Sequence, residues 1–163
     1  MTRDARPIAT LALLGAVAVG LSACASDTAV QSTVALSHPP GVRAVAGEAS
    51  ASGEASLRQL GDRVTGSVSV RGLLPGSRHA WSIQGPFGGC APIDQPANTT
   101  LVLHDLQANG EGVAATRLNV AVHAPLASGG YDIAVFSGPQ PPRTVAQKSN
   151  PMVLCGDIRR ASR

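Results

Sequence analysis

Cysteine and histidine side chains that could do redox or metal chemistry are few and widely spaced in this sequence. They are Cys24, Cys90 and Cys155, and His38, His79, His104 and His123. No serine lies in a G-x-S-x-G segment or a recognisable triad order, so the sequence does not indicate a nucleophilic hydrolase. We interpret His79 as a packing residue at a strand end rather than a ligand. His104 and His123 lie in separate predicted strands and could share a metal only if the fold joins them.

The N-terminal segment has the features of an export signal. Arg3 and Arg6 precede the apolar run Ile8–Leu21, which is too short to span a membrane but suits a signal peptide. The run ends in Leu21-Ser22-Ala23-Cys24, which resembles the lipobox of bacterial lipoproteins. We therefore expect residues 1–23 to be a signal peptide and Cys24 to carry diacylglycerol and an N-acyl chain such as palmitate. The alternative is an ordinary signal peptide cut near Ala23 or Ala25.

Charge and composition narrow the location and the class of partner. Removal of Arg3, Asp4 and Arg6 lowers the formal net charge from +3 to +2, and no basic run remains, so a nucleic-acid partner is not expected. Lys148 is the sole lysine, which indicates a GC-rich, actinobacterial genome. We expect the chain on the extracytoplasmic face of the cell membrane, held there by lipid. A lipidated Cys24 also explains an odd cysteine count in an oxidising compartment.

After the signal, the pattern is that of a short tether and one β-domain. Residues 24–42 are rich in Ala, Ser and Thr and predict a flexible tether, and residues 43–160 predict the domain. The first strand, between Gly41 and Ser56, is indistinct. Alternation of apolar and polar residues predicts the later strands, with Gly and Pro turns between them: Val64–Arg71, His79–Gln84, Leu101–Leu103, Gly112–Val122, Tyr131–Phe136 and Met152–Ile158. No amphipathic helix is predicted, so the fold class is an all-β sandwich or flattened barrel.

Several segments, taken in order, resemble copper–zinc superoxide dismutase, a Greek-key β-barrel. The resemblance covers about Gly47 to Ile158 and includes the turn after Leu74, the run His79–Gln84 in place of H-G-F-H-V-H, and Cys155-Gly156 in the C-terminal strand. The resemblance implies a disulfide between Cys90 and Cys155. With Cys24 lipidated, Cys155 is also the only other cysteine that could pair with Cys90. A CHRD-type domain, a related β-module, remains the alternative.

The residues that carry the family's chemistry are replaced. The positions of its strand-borne copper histidines hold Ser82 and Gln84, and its late copper histidine is Phe136. Asp105 matches the zinc carboxylate, but the histidine three residues before it is Val102, and the substrate-guiding arginine is Met152. These five degenerate positions lack the imidazole donors that a copper site needs. We therefore expect no metal, no cofactor and no catalytic residue.

Three functional hypotheses follow. The first is a non-catalytic, lipid-anchored envelope protein that uses a dismutase-like barrel as a binding or structural module. The second is a divergent copper–zinc dismutase or metal-binding envelope protein with unaligned ligands. In the third, the face with Ser82, Gln84 and Phe136 forms an apolar patch that binds another protein or a second copy of the chain.

Overall fold

The computed structural model describes residues 29–85, 90, 99–128, 130–139 and 150–159. Within these ranges the chain forms ten β-strands and a single 3₁₀ turn, Leu126–Ser128. The strands are β1 (Val30–Leu36), β2 (Ser52–Leu60), β3 (Arg63–Arg71), β4 (Arg78–His79), β5 (Trp81–Gln84), β6 (Thr99–Val102), β7 (Leu106–Gln107), β8 (Ala114–Ala121), β9 (Asp132–Phe136) and β10 (Met152–Asp157). The prediction of an all-β domain is confirmed. No helix in these ranges has the length and apolar character needed to cross a membrane.

The first sheet is an antiparallel sheet with the strand order β1-β2-β3-β8. Strands β2 and β3 form a hairpin in which Leu60 pairs with Arg63, and the predicted turn Gly61-Asp62 joins them. Along β3, Val64, Val68 and Val70 are buried, while the intervening residues are exposed or half-buried. The predicted period of two is therefore present, since one face of this sheet packs on the core and the other faces water.

The second sheet has the order β10-β9-β5-β6 and is also antiparallel. The predicted strand His79–Gln84 is divided at Ala80, so that β4 leaves the sheet and pairs instead with β7. One face of the second sheet packs against the first sheet through residues that include Trp81, Ile83 and Ile133. Trp81 also donates a hydrogen bond from Nε1 to the carbonyl of His104, 2.6 Å away, so its polar atom is satisfied in the core.

Each sheet contains neighbouring strands that are distant in sequence. Strand β3 pairs with β8, and β5 pairs with β9, so the chain crosses repeatedly from one sheet to the other. At one edge the sheets approach each other through an antiparallel bridge between Ser37 and Cys155. Gly156 allows this approach, since a Cβ there would lie 2.3 Å from the carbonyl oxygen of Ala35. The glycine after Cys155 is thus needed for packing.

The tether prediction is wrong for part of its length. Val30–Leu36 is strand β1, and every residue of it pairs with β2. Val34 and Leu36 are buried in the core, and His38 contacts the Val153 carbonyl through Nδ1 at 3.3 Å. The alternation Ser32-Val34-Leu36 was hidden in a composition rich in small residues. The start of this segment, residues 24–28, and the predicted signal peptide, residues 1–23, lie outside the described residues.

The predicted turn after Leu73 is present. Ser77 donates its N–H to the carbonyl of Leu74 at 3.1 Å, with Pro75 and Gly76 at the two central positions. Gly76 has φ of 72°, a conformation that glycine adopts without steric cost, and Pro75 favours the φ of the preceding position. This turn delivers the chain into β4 and places Ser77 beside His79.

Candidate functional site

The outer face of the second sheet, which points away from the first sheet, carries most of the positions singled out by the sequence. Two rows of residues cross β5, β9 and β10 on this face. One row is Ser82, Ala134 and Cys155, and the next is Gln84, Asp132 and Asp157. Phe136 and Met152 pair with each other at the end of the same face. The fold therefore places Ser82, Gln84, Phe136, Met152 and Cys155 on one face of the second sheet.

Ser82 and Gln84 satisfy each other instead of facing an open site. The Gln84 amide donates from Nε2 to the Ser82 hydroxyl oxygen at 3.1 Å, and the two residues are only 5% and 6% exposed. A hydroxyl and an amide are weak ligands for copper, and this amide nitrogen is a donor that has no lone pair to offer. The residues present therefore do not fit a copper ion.

An apolar cluster occupies the other end of the outer face. Met152 and Cys155 are buried against Ala134, and Phe136 and Cys90 are half-buried beside them. Asp105 is half-buried immediately before β7. Among the described residues, the one group of three potential metal-ligating side chains is Cys90, Asp132 and Cys155, so Asp105 belongs to no such group. Residues 91–98, which follow Cys90, lie outside the described residues.

Cys90 and Cys155 form the predicted disulfide. Their Cα atoms are 5.5 Å apart, and the bond joins positions 65 residues apart in the sequence. Cys155 is in the interior of β10 and is 2% exposed, whereas Cys90 is half-buried. The bridge therefore fastens the segment after β5 to the outer face of the second sheet.

Asp132 is the feature of this face that the sequence analysis missed. It is 6% exposed, and its Oδ1 atom is buried with no hydrogen-bond partner. Burial, and secondarily the negative charge of Asp157, raises the pKa of Asp132 from 3.8 to about 6. A carboxylate in the apolar strand Tyr131–Phe136 was the signal, since aspartate is rarely buried without a partner. Opposite it, Asp157 is partly exposed and pairs with Arg159 at 2.8 Å.

A second buried polar group lies at the other side of β4. The Glu48 and His79 side chains are 0% and 1% exposed, and Glu48 Oε1 lies 3.1 Å from His79 Nε2. The same oxygen accepts the N–H of Leu74 at 3.2 Å, and Ser77 Oγ is 2.6 Å from His79 Nε2. His79 is indeed a packed residue at a strand end, but it is also part of a buried polar network. Glu48 had no distinguishing pattern in sequence, because small residues surround it.

Ser77, His79 and Glu48 are the residue types of a hydrolase triad, but their geometry is different. In a triad the serine and the carboxylate contact opposite nitrogens of the imidazole. Here both contact Nε2, and Nδ1 faces the carbonyl of Phe136 at 3.0 Å. Ser77 also donates its hydroxyl proton to the Leu74 carbonyl. The serine and the carboxyl group therefore share one imidazole nitrogen, which is not the arrangement of a catalytic triad.

The contacts of the imidazole ring connect three parts of the chain. The Phe136 carbonyl can only accept, which requires a proton on Nδ1 of His79. Nε2 of His79 contacts both Ser77 Oγ and Glu48 Oε1, and the second carboxyl oxygen of Glu48, Oε2, is buried with no hydrogen-bond partner. Glu48 and His79 thus form a buried pair. This pair connects the loop before β2, the turn before β4 and the end of β9.

The two remaining histidines, His104 and His123, are exposed, and among the described residues neither belongs to a group of three potential metal ligands. His123 contacts Asp62 at 3.9 Å, with 85% and 68% of the two side chains exposed. An exposed pair at this distance contributes little to stability.

No protein-family model matches this chain, and no curated protein resembles it closely enough to be counted as a match. Functional argument therefore depends on the residues and their geometry.

Proposed function

We propose that this chain is a non-catalytic, lipid-anchored protein of the bacterial cell envelope whose domain is a superoxide dismutase-like Greek-key barrel. The strand orders support the fold: β8 returns beside β3 after β5 and β6 have been placed in the other sheet, and β9 returns beside β5. A strand that returns beside the first strand of its unit is the Greek-key arrangement. The Leu21–Cys24 motif supports the lipid anchor.

One observation supports the proposal that this domain has no dismutase activity. At the positions that match the copper histidines, Ser82 and Gln84 are buried and bonded to each other, and Phe136 lies in an apolar cluster. At these positions the outer face is thus filled by a mutually bonded Ser82–Gln84 pair and packed apolar side chains, with a disulfide beside them. Such a face stabilises a scaffold, and it offers no exchangeable coordination position for copper at these residues. The divergent dismutase is for this reason the weaker alternative.

Because this face is buried, a protein partner would bind a different surface from the one expected. Ser82 and Gln84 were expected to line an exposed apolar patch, but their side chains are covered. A partner would therefore contact the exposed residues of the first sheet or the loops rather than these two residues. The binding or structural role rests on the domain as a whole.

The decisive experiment is metal and activity analysis of the oxidised, full-length protein. We expect protein from a host supplemented with copper and zinc to contain no stoichiometric copper and to dismutate superoxide no faster than a heat-denatured sample. A Ser82→Ala variant provides a matched control, since it removes the only serine at a former ligand position. Stoichiometric copper together with turnover above that of the heat-denatured sample would overturn the proposal, and loss of both in Ser82→Ala would assign them to this face.

A further inference from the structure

We propose that reduction of the Cys90–Cys155 disulfide creates a zinc site formed by the two cysteine thiolates and the Asp132 carboxylate. Both sulfur atoms and an Asp132 carboxylate oxygen lie within 4.8 Å of one another. Two thiolates and a carboxylate are a ligand set that Zn²⁺ accepts, with Zn–S near about 2.3 Å and Zn–O near about 2.0–2.2 Å. This proposal goes beyond the scaffold role, since it concerns a different metal, different residues and a different oxidation state.

Asp132 is the observation that points to a ligand. It is 6% exposed, its Oδ1 is buried with no hydrogen-bond partner, and one of its carboxylate oxygens lies beside the two sulfurs. A buried carboxylate without a partner carries a large desolvation cost, which a bound cation offsets. Asp157, directly opposite on β10, adds a second negative charge, and its Oδ1 lies 3.9 Å from Cys90 Sγ. Asp157 lies outside the group of three mutually close ligands, so water would occupy the fourth position of the zinc ion.

Two of the three proposed ligands are held in strands and the third is not, which suits a change from a disulfide to a zinc site. Asp132 and Cys155 lie on paired strands of the second sheet, so their positions are held by backbone hydrogen bonds. Cys90 lies outside any strand and is half-buried. After reduction, Cys90 can move away from Cys155 by the small distance that separates two sulfurs around one zinc ion.

The chemistry balances with a dithiol as reductant. The dithiol transfers two electrons and two protons to the S–S bond, which breaks into two thiols while the reductant becomes a disulfide. Zinc then binds as both thiols lose their protons to solvent, and Asp132 contributes its ionised carboxylate. Thiol–disulfide exchange with an oxidised dithiol reverses the step: the two protein thiolates form the S–S bond, the incoming disulfide takes up two electrons and two protons and becomes a dithiol, and the metal is released. Zinc occupancy would thus report the redox state of the compartment.

The test compares oxidised and reduced full-length protein. The chain is reduced with excess dithiothreitol, desalted without oxygen, and dialysed against ZnCl₂ or CoCl₂. We expect one Zn²⁺ per reduced chain, none per oxidised chain, and a sulfur-to-cobalt charge-transfer absorption in the reduced form alone. Far-ultraviolet circular dichroism establishes whether the reduced chain keeps its sheets.

Two variants separate this site from adventitious thiol binding. Asp132→Asn, which keeps the disulfide and a similar shape, should weaken zinc binding to the reduced chain at least about tenfold. Asp62→Asn, an exposed aspartate far along the first sheet's hairpin, should leave it unchanged. No zinc on the folded reduced chain, equal affinity in Asp132→Asn and wild type, or zinc binding only by an unfolded reduced chain would each overturn the proposal. The copper and superoxide assay uses oxidised protein, so the two proposals fail separately.

Discussion

Asp132 and Asp157 lie directly opposite each other on β9 and β10, on the buried outer face of the second sheet. Like charges that face each other across a strand pair are unfavourable, and Asp132 is also removed from water. The pair therefore destabilises the metal-free, oxidised protein. We expect the free energy of unfolding to depend on pH as a result.

We expect the free energy of unfolding to fall as pH rises from about 4 to about 6. Below 3.8 Asp132 is protonated in both states, whereas between 3.8 and about 6 only the unfolded chain releases the proton. Above that window the loss is complete and amounts to up to about 3 kcal/mol. Urea titrations at several pH values, followed by the fluorescence of buried Trp81 in the presence of a chelator, measure it. Asp132→Asn should lose this slope and Asp62→Asn should keep it; equal slopes in both variants would contradict the assignment.

Cys90→Ser should lower the melting temperature markedly. The disulfide closes a loop over a sequence separation of 65 residues, for which chain-entropy reasoning gives about 4 kcal/mol. Calorimetry of wild type with and without dithiol, and of Cys90→Ser without it, checks this. The reduced wild type and the variant should melt at similar temperatures. An unchanged melting temperature in both would show that the bond does not support the fold.

His79→Ala should destabilise the domain by about 3–5 kcal/mol, because it leaves the Glu48 side chain buried without its imidazole partner. His123→Ala is the matched control, since it removes the same side chain from the exposed pair with Asp62 and should cost less than about 1 kcal/mol. Urea unfolding of both variants gives the comparison. Similar losses in the two would mean that the Glu48–His79 pair contributes no more than a surface contact.

Gly66→Ala should cost about 1–3 kcal/mol, because β3 passes too close to β2 for a side chain. A Cβ at position 66 would lie 2.1 Å from the Ser56 carbonyl oxygen. Gly110→Ala is the control, since nothing lies within 4 Å of its Cβ position, and it should be neutral or slightly stabilising. If Gly66→Ala unfolds at the same urea concentration as wild type, the close approach of β2 and β3 is wrong.

Cys24→Ala should move the protein from the membrane to the soluble fraction. The expected anchor is a diacylglycerol and an N-acyl chain on Cys24, and each buried CH₂ contributes roughly 0.8 kcal/mol to membrane binding. Cell fractionation with immunoblotting measures this, and the mass of the mature wild-type N-terminus identifies the lipid. Ser22→Ala keeps a small residue before the cysteine and should remain membrane-bound. Membrane association that survives in Cys24→Ala would remove the lipoprotein hypothesis.

The sequence alone was sufficient for the strands whose pattern is local. Val64–Arg71 alternates strictly, and the turns at Gly61-Asp62 and Leu74–Gly76 use residues that favour those backbone angles, so β3 and its neighbouring turns follow from period and turn chemistry. Strand β1 was not predicted, because small polar residues obscure its alternation of apolar and polar positions. Only its pairing with β2 places one of its faces against the core.

The pairing of side chains across the fold was decided by tertiary structure. Glu48 and His79 are 31 residues apart, and nothing local in either segment marks a buried ion pair. Asp132 was visible in an apolar strand, but its placement between Gln84 and Asp157, beside a disulfide, depends on the register of three strands. A period-two pattern determines which face a residue occupies. Which residues meet on that face is determined by strand order and register, which are properties of the assembled sheets.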